Sequence, residues 1–297
     1  MKKTAFKSGF VSVVGRPNVG KSTLINAMIK EKIAIVSDKV QTTRNKILCI
    51  YTDEDSQIIF MDTPGIHKPH HKLGEYMVSA AVDSLKEVDV VVFMISANEK
   101  FGAGDQFILD KVKQVKVPVF LLVNKIDMLP KDKLLEKIAA VSAMHDFTEI
   151  IPVSAKEEIN LDAFLQTLKQ TLKEGPKYFP DDMITDQPER LLAAEIIREK
   201  ILLNTKEEIP HAIAVEVEEM KARSEEKVYI RATIYVERDS QKRIVIGKNG
   251  AMLKEVGALA RQEIQSLLGS SVYLDLWVKT KKDWRNKTGM LKELGYE

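Results

Sequence analysis

The chain has 297 residues, of which 44% are hydrophobic and 30% charged, and its formal net charge is only +2. This composition excludes an intrinsically disordered protein, and the length predicts two globular domains. A charge so close to zero neither favours nor excludes a nucleic-acid partner, so any basic surface must be local. The longest apolar runs, at 88–95 and 117–123, are far shorter than the about 20 residues that span a bilayer. They predict buried parallel strands.

The N-terminus and the single cysteine restrict where the protein is expected to work. Two lysines at the start are not followed by a long apolar segment, so we expect no signal peptide. The lone Cys49 cannot form an intramolecular disulfide and suits a reducing compartment. Because Cys49 stands in an alternating apolar run, we predict a small buried residue rather than a nucleophile.

A phosphate-binding pattern follows the first predicted strand. The apolar run 10–14 stops at a glycine, and a helical pattern begins seven residues later, which predicts a strand, a loop and a helix. The loop has the spacing G-x-x-x-x-G-K-S and consists of Gly15, Arg16, Pro17, Asn18, Val19, Gly20, Lys21 and Ser22. Such a loop binds a polyphosphate with backbone N–H groups at the positive end of a helix. Lys21 would contact the β and γ phosphates, and Ser22 would bind Mg²⁺.

Two further segments have the residues that a metal-bound triphosphate needs. The polar stretch 37–44 contains Thr42 and Thr43, and either is a candidate for a second hydroxyl ligand of Mg²⁺, with an ordinary loop as the alternative. The predicted strand 57–61 is followed by Asp62, Thr63, Pro64 and Gly65. There the acidic side chain can hold a metal-bound water, and the glycine N–H can contact the γ-phosphate.

The ends of two later strands predict the site for the base. Strand 117–123 leads to Asn124, Lys125 and Asp127, and strand 149–153 leads to Ser154, Ala155 and Lys156. The Asp127 carboxylate can accept hydrogen bonds from the ring N1–H and the amino group of guanine, which adenine cannot offer. Asn124 would brace neighbouring loops, and the Lys125 stem would cover a base face. Backbone N–H groups of 154–156 would meet guanine O6.

Strands alternate with amphipathic helices through the first 174 residues, and the polar motifs lie at the carboxyl ends of strands. This order predicts an α/β fold with a doubly wound, mostly parallel sheet and one ligand crevice. The predicted helices after the first are 73–88, 105–115, 131–144 and 160–173.

These motifs resemble the five guanine-nucleotide motifs of the translation-factor class of P-loop GTPases. The resemblance implies a GTPase that uses GTP, GDP and Mg²⁺, and it favours Thr43 over Thr42 as the metal ligand. The residues expected to act in hydrolysis are Lys21, Thr43, Gly65 and Asn18. The chain has Ile66 where Ras-like proteins place a water-orienting glutamine, so we expect slow hydrolysis. Asn18 resembles the asparagine with which some relatives bind K⁺, and this predicts hydrolysis that K⁺ stimulates.

A linker at 175–187, rich in glycine, proline and aspartate, separates the domain 1–174 from a second domain at 188–280. The second domain is predicted to contain a helix at 188–203, strands at 212–217 and 228–236, two helices joined by Gly247, Lys248, Asn249 and Gly250, and a strand at 272–278. This order with a GxxG loop resembles the type II KH fold, which clamps single-stranded nucleic acid. The glycines would admit the sugar-phosphate backbone, and Arg243, Lys248 and Lys254 would offset its charge. A plain turn between core helices is the alternative.

The segment 281–297 is a basic tail, and the cations of 279–287 stand beside Trp277 and Trp284. Three interpretations are open for it: an extension of the RNA surface, contact with anionic lipid, and a solvated basic end.

A GTPase domain followed by a type II KH domain resembles the Era family of bacterial GTPases over essentially the whole chain. The resemblance implies a cytoplasmic ribosome-assembly factor that binds the 3′ end of small-subunit (16S) rRNA on the small ribosomal subunit, with the nucleotide controlling RNA affinity. Peripheral contact with anionic lipid on the inner face of the cell membrane is an alternative, and no DNA partner is expected. A second alternative is an RNA-binding module whose nucleotide is only structural.

Overall fold

The computed structural model describes residues 5–39, 41–66, 69, 71–224 and 227–296. These residues divide into two compact units. The first unit takes those in 1–34, 43–69 and 74–186, and the second takes those in 35–42, 70–73 and 187–297. The final passage from the first unit to the second lies at residue 187, so that residues 175–186 of the predicted linker belong to the first unit.

The first unit is built on a six-stranded sheet. Its strands are β1 (Lys7–Gly15), β2 (Ile47–Thr52), β3 (Ser56–Asp62), β4 (Val90–Ser96), β5 (Val119–Asn124) and β6 (Glu149–Pro152). They lie in the order β2-β3-β1-β4-β5-β6, and every neighbouring pair is parallel except β2 with β3. A short turn joins the antiparallel pair, whereas the parallel pairs need longer crossovers. The predicted α/β fold with a mostly parallel sheet is confirmed.

The central strands are buried, which explains their continuous apolar sequence. All residues of β3 and β4 are buried, as expected where helices cover both faces of a parallel sheet. The connecting helices are α1 (Lys21–Ile29), α2 (Lys72–Asp83), α3 (Ala103–Val112), α4 (Lys131–Ser142) and α5 (Leu161–Thr171). Cys49 in β2 is fully buried, as predicted, and burial raises the pKa of its thiol.

Helix α2 is shorter than its predicted range of 73–88. It ends at Asp83, where the Ser84 hydroxyl bonds back to the carbonyl of Ala81 (2.7 Å) and to the hydroxyl of Ser12 in β1 (2.8 Å). A hydroxyl that bonds a helix carbonyl in this way favours the end of a helix. Leu85 stays buried, so the apolar spacing continues beyond the helix and misleads a prediction from periodicity.

The second unit has a three-stranded sheet. Its elements are α6 (Glu189–Asn204), α7 (Ile209–Ala212), β7 (Ala214–Ser224), β8 (Lys227–Val236), α8 (Asp239–Ile246), α9 (Ala251–Leu268), β9 (Ser271–Thr280) and α10 (Thr288–Glu293). Strand β8 lies in the middle, antiparallel to β7 and parallel to β9. Apart from the short α7 and α10, the order is helix, strand, strand, helix, helix, strand. The predicted KH fold is confirmed.

Strand β7 runs to Ser224, well beyond its predicted end at residue 217. The register shifts between Val217 and Glu219, and such a bulge breaks the alternation of apolar and polar residues. Periodicity therefore marks only the first half of this strand.

Helix α6 buries charged side chains in the core of the second unit. Arg198 bonds to the Glu195 carboxylate and to the carbonyl of Thr42, and the Glu199 carboxylate accepts the N–H of Val36 (2.9 Å). Such charges are tolerated in a core only when they are paired. These bonds explain why residues 35–42, which precede β2 in the chain, belong to the second unit.

The predicted basic tail also folds into the second unit. Trp284 is fully buried, its indole N–H donates to the carbonyl of Ala212 (2.9 Å), and its ring stacks on Tyr296 with centroids 6.2 Å apart. Arg285 pairs with Glu237 at 2.5 Å. The segment is therefore not a free end, because a buried aromatic ring anchors it, although the side chains of Lys282 and Lys287 are exposed.

Candidate nucleotide and nucleic-acid sites

The predicted phosphate loop connects β1 to α1. Lys21 is buried at the start of α1, and its Nζ donates to the carbonyls of Gly15 (3.2 Å) and Arg16 (3.1 Å). Burial lowers the pKa of Lys21 to about 8, and the nearby Asp62 carboxylate opposes this shift. The ammonium group is thus held inside the loop by neutral carbonyls, and phosphate oxygens would be stronger acceptors for it.

Two hydroxyls and a carboxylate meet beside the loop. Ser22 Oγ lies 2.7 Å from Asp62 Oδ2 and 3.0 Å from Thr43 Oγ1, which itself lies 3.3 Å from the same carboxylate oxygen. The other oxygen, Asp62 Oδ1, is buried and has no hydrogen-bond partner among the described residues. Burial raises the pKa of Asp62, although the Lys21 charge and the two hydroxyls oppose the rise. Hard oxygen donors with one unsatisfied carboxylate oxygen fit Mg²⁺.

The two candidate threonines have different surroundings. Thr43 is only 8% exposed and contacts Ser22 and Asp62, whereas the Thr42 hydroxyl donates to the carbonyl of Lys39 (2.7 Å). The threonine that the family resemblance favours is therefore the one beside the other oxygen donors.

The segment after β3 returns to the phosphate loop. The Thr63 hydroxyl donates to the carbonyl of Val13 (2.7 Å), and a Cβ on Gly65 would lie 2.6 Å from the backbone nitrogen of Pro17. Glycine is required at position 65 because no side chain fits this approach. The Ile66 N–H donates to the carbonyl of Gly15 (3.3 Å), which fixes the backbone there, and the side chain is buried. Because this side chain is apolar, it cannot orient a water molecule.

Asn124, at the end of β5, joins two loops of the site. Its Nδ2 donates to the carbonyl of Val19 (2.8 Å), and its Oδ1 accepts the N–H of Ala155 (2.9 Å). The side chain thus connects the phosphate loop to the segment 154–156. Both amide atoms are satisfied, so the contact holds the two loops in a fixed relation.

The residues expected to contact the base lie next to Asn124. Asp127 is exposed on a short 3₁₀ turn, Ile126–Met128, which follows Lys125. Ser154 is buried, whereas Lys156 is exposed. An exposed carboxylate on a short rigid turn is available to accept hydrogen bonds from a base edge.

Sequence reasoning missed an acidic residue that links two of the motifs. Glu99 pairs with Arg16 of the phosphate loop at 2.8 Å and lies 3.8 Å from Lys125. Arg16 also pairs with the buried carboxylate of Asp105 at 2.8 Å. No signal could have found Glu99, because it lies in a loop after β4 that matches no motif.

The predicted GxxG loop connects α8 to α9. Gly247 has a φ of 74°, and a Cβ there would lie 2.7 Å from the Cβ of Met252. Gly250 has a φ of 79°, but a Cβ there would meet nothing within 4 Å. Gly247 is thus required by packing and by backbone conformation, and Gly250 by conformation alone. Asn249 is also left-handed, with a φ of 52°, which asparagine tolerates better than most residues.

A groove opens beside this loop. A cavity of about 460 Å³ is lined by residues that include Gly250, Lys254, Arg261 and Tyr273. Lys248 and Arg243 are exposed nearby in sequence but are not among the lining residues. The structure therefore brings Gly250 and Lys254 together and adds an aromatic ring that sequence reasoning had not assigned.

Comparisons with known proteins identify both domains of the chain. Residues 10–125 match a family model described as 50S ribosome-binding GTPase, and residues 208–285 match a model of the KH domain. A crystal structure of Era in complex with MgGDPNP and nucleotides 1506–1542 of 16S ribosomal RNA is 44% identical to this chain. The match covers 98% of this chain and 99% of that one, with a TM-score of 0.95. The chain belongs to the Era family of GTPases.

A crystal structure of an Aquifex aeolicus Era variant bound to GDP·AlF₄⁻ is similar to the same degree, with 44% identity over 98% of this chain and 99% of that one and a TM-score of 0.95. The predicted Era family, its GTPase activity and its GTPase and KH domains are thereby confirmed. Within the described part of the chain, none of the helices has an apolar stretch of the length that a bilayer requires.

Proposed function

We propose that this Era-family GTPase is a ribosome-assembly factor that binds the 3′ end of small-subunit rRNA through its KH domain, with the bound nucleotide setting RNA affinity. The observation that carries the proposal is that one chain contains both the Ser22, Thr43 and Asp62 oxygen cluster and a groove beside a GxxG loop. An Era structure that contains MgGDPNP and 16S rRNA nucleotides supports both ligands. Crosslinking the KH loop to cellular RNA, with the nucleotide state fixed, tests the proposal.

In this proposal, the nucleotide site acts by holding positive charge at fixed positions around the triphosphate. Lys21 would bind the β and γ phosphates, the Gly65 N–H would contact the γ-phosphate, and Asp127 would bind the guanine edge. Ser22 and Thr43 would hold Mg²⁺ directly, and Asp62 would hold it through water. When bound, the ion supplies positive charge that offsets the charge of the reacting triphosphate.

Adjacent residues support control of the KH domain by the nucleotide. The carbonyl of Thr42 bonds to buried Arg198 in the second unit, and the hydroxyl of the next residue, Thr43, contacts Ser22 and Asp62. A segment that is ordered by a γ-phosphate and its metal ion at one end can therefore influence the bonds of α6 at the other. Equal RNA affinity in the GDPNP and GDP states would instead favour the alternative of a structural nucleotide.

Thr43 and Thr42 provide a matched pair for testing the metal site. Replacing Thr43 with alanine is expected to lower kcat by about 10²-fold and to abolish the difference in RNA affinity between the GDPNP and GDP states, because an oxygen donor is lost at the site of developing charge. Thr42→Ala loses only its bond to Lys39 and is expected to stay within about twofold of the unmodified kcat. Single-turnover GTP hydrolysis and filter binding measure both effects. Equal losses in the two variants would contradict the assignment.

Slow hydrolysis and a K⁺ site are part of the proposal, and the residues around the γ-phosphate position support them. Ile66 offers no polar group, and Asn18 is exposed in the phosphate loop with a φ of 63°. Exchanging Na⁺ for K⁺ at constant ionic strength is expected to raise kcat at least about tenfold, because a fixed cation would add positive charge to that of Lys21 and Mg²⁺. Asn18→Ala is expected to remove the response, whereas Asn18→Asp keeps an oxygen ligand and should keep it. Identical rates in the two salts would rule out the site.

The GxxG loop is tested by a charge reversal that leaves both glycines in place. Lys248→Asp is expected to weaken RNA binding at least about tenfold and to reduce the slope of log affinity against log salt by about one, because one phosphate contact is lost. Lys206, another exposed lysine of the second unit, lies far from the loop in sequence, and Lys206→Asp makes the same charge change and should leave affinity within about twofold. If both variants lose affinity equally, binding depends on overall charge and not on the loop.

The contacts of residues 281–296 do not favour the membrane alternative. Lys281 Nζ lies 4.6 Å from the centre of the Tyr235 ring, Arg285 pairs with Glu237, and Trp284 is buried. Lys281, Trp284 and Arg285, which would have to contact a lipid surface, therefore already contact other residues of the second unit. A cytoplasmic location remains a prediction of the family resemblance.

A further inference from the structure

The outer face of the second unit's sheet carries aromatic side chains, of which Tyr273 alone was placed in the groove above. Alternate residues of a strand point to opposite faces of a sheet. Core residues of β8 and β9 are Ile230, Ala232, Ile234, Val272 and Val278. The alternate residues on the opposite face include Tyr229, Arg231, Tyr273, Asp275 and Trp277. Of these, Tyr273 is 60% and Trp277 54% exposed.

These rings are held in fixed positions. Tyr229 and Tyr273 pair across the two strands, with ring centroids 5.9 Å apart and planes 16° from parallel. The Asp275 carboxylate accepts hydrogen bonds from the Trp277 indole N–H (3.1 Å) and the Tyr229 hydroxyl (3.3 Å). The Arg223 guanidinium lies 4.4 Å from the centre of the Tyr229 ring. Because the rings are already ordered, a flat ligand that stacks on them would cost them little further conformational entropy.

The aromatic face continues directly from the groove of the GxxG loop. Tyr273 lines the same cavity as Gly250, Lys254 and Arg261. A GxxG loop holds about four nucleotides, so a longer strand must leave the groove. A strand that leaves beside Tyr273 would next meet Trp277, about 13 Å further along β9 at the usual rise of a strand.

The charges on this face are compatible with a nucleic-acid strand. Glu218 and Glu219 are paired with Arg231 at 3.5 and 3.2 Å, and also with Lys279 (3.0 Å) and Lys221 (2.8 Å) respectively. The third carboxylate, Asp275, is bonded to the ring donors described above. A fourth, Glu216, accepts a hydrogen bond from the Tyr235 hydroxyl (2.8 Å). Cations therefore offset Glu218 and Glu219, Asp275 and Glu216 accept hydrogen bonds from neutral donors, and exposed Arg223 adds a cation beside the rings. Aromatic rings beside cations are typical of surfaces that bind unpaired bases.

We propose that Tyr229, Tyr273 and Trp277 form a base-stacking platform that continues the RNA path from the GxxG groove onto the outer face of the sheet. The ligand is single-stranded RNA, whose bases stack on Tyr273 and Trp277 while Tyr229 supports Tyr273 from the neighbouring strand. The inference rests on the proposed RNA-binding function and lengthens its footprint beyond the about four nucleotides that the loop holds.

Tryptophan fluorescence can detect RNA that binds to this platform. The chain has two tryptophans, and Trp284 is fully buried, so quenching by RNA reports Trp277. The probe is RNA with the sequence of 16S nucleotides 1506–1542, titrated into the full chain beside four-nucleotide fragments of it. We expect the long RNA to quench the Trp277 emission. The short fragments should bind without quenching it, and Lys248→Asp should weaken their binding. Trp277→Phe should abolish the quenching and keep the affinity.

Alanine variants test the energetic role of the rings. Trp277→Ala is expected to weaken binding of the long RNA about tenfold and to leave the short fragments unaffected, whereas Tyr273→Ala, whose ring also lines the groove, should weaken binding of both. Tyr273→Phe retains the stacking surface and should bind like the unmodified chain. Neither alanine change alters charge, so the salt dependence should stay constant, in contrast to Lys248→Asp.

Each alternative outcome has a distinct meaning. If RNA binding depends on Lys248 but leaves the Trp277 emission and both alanine variants unchanged, the platform is overturned and the proposed function stands. If the unmodified chain does not bind the long RNA, the proposed function fails and the platform fails with it. If the alanine variants keep RNA affinity but no longer capture a ribosomal protein, the face is a protein interface and the platform is overturned.

Discussion

Replacing Asp127 with asparagine is expected to lower the affinity for GTP by about 10³-fold and to make xanthosine triphosphate the preferred nucleotide. Guanine offers two donors at this edge, N1–H and the amino group, and both require the carboxylate as acceptor. Xanthine keeps the N1–H but has a carbonyl in place of the amino group. The asparagine amide can accept from the first and donate to the second, so the new pair is complementary again.

Competition of GTP and xanthosine triphosphate against a fluorescent guanine nucleotide measures this change of preference. Asp127 is exposed on its 3₁₀ turn, so the substitution should not disturb the core. Asp132→Asn is the matched control, because it removes an exposed carboxylate in the first turn of α4 with the same change of charge. GTP affinity that survives Asp127→Asn would show that the base is bound elsewhere.

Replacing Lys21 with methionine is expected to lower the affinity for GTP by about 10³-fold, because a buried cation facing the phosphates is lost where water screens it poorly. The change also removes the positive charge that opposes the raised pKa of Asp62. The carboxylate is then more readily protonated, and a protonated acid is a poor partner for Mg²⁺. The same substitution thus weakens phosphate and metal binding together.

Isothermal titration with GTP at a fixed excess of Mg²⁺ measures this loss, and thermal denaturation checks that the variant folds. Lys30→Met serves as the control, since Lys30 follows α1 directly and is exposed, and its replacement makes the same change in net charge. If the two variants bind GTP equally well, Lys21 does not contact the phosphates.

The nucleotide site could be predicted from the sequence because its residues follow buried strands directly. Gly15, Asp62 and Asn124 each end a strand of one sheet, and β1, β3 and β5 run in the same direction. Their carboxyl ends therefore meet at one edge, and short motifs suffice to place the side chains there. The GxxG loop was predictable for a similar reason, since apolar spacing on both sides of it indicates two helices.

What the sequence could not predict depends on contacts between distant residues. Glu99 pairs with Arg16, Arg198 bonds to the carbonyl of Thr42, and Tyr229 stacks on Tyr273. Each of these pairs joins residues far apart in the chain, and none has a local pattern that reveals its partner. For Trp284 a local pattern exists but indicates the wrong environment. Its lysine-rich surroundings indicate an exposed end, although the ring itself is buried.

The burial of Trp284 decides where a recombinant RNA-binding fragment can stop. The last strand of the sheet ends at Thr280, which looks like a natural point of truncation. A fragment cut there would lose the fully buried Trp284 ring together with its hydrogen bond to the Ala212 carbonyl, and loss of a buried aromatic side chain of this size costs about 3–5 kcal/mol. For a small domain, this cost is a large fraction of the free energy of unfolding. The apolar surface that truncation exposes would also promote aggregation. The fragment should therefore extend through Tyr296, whose ring covers the tryptophan.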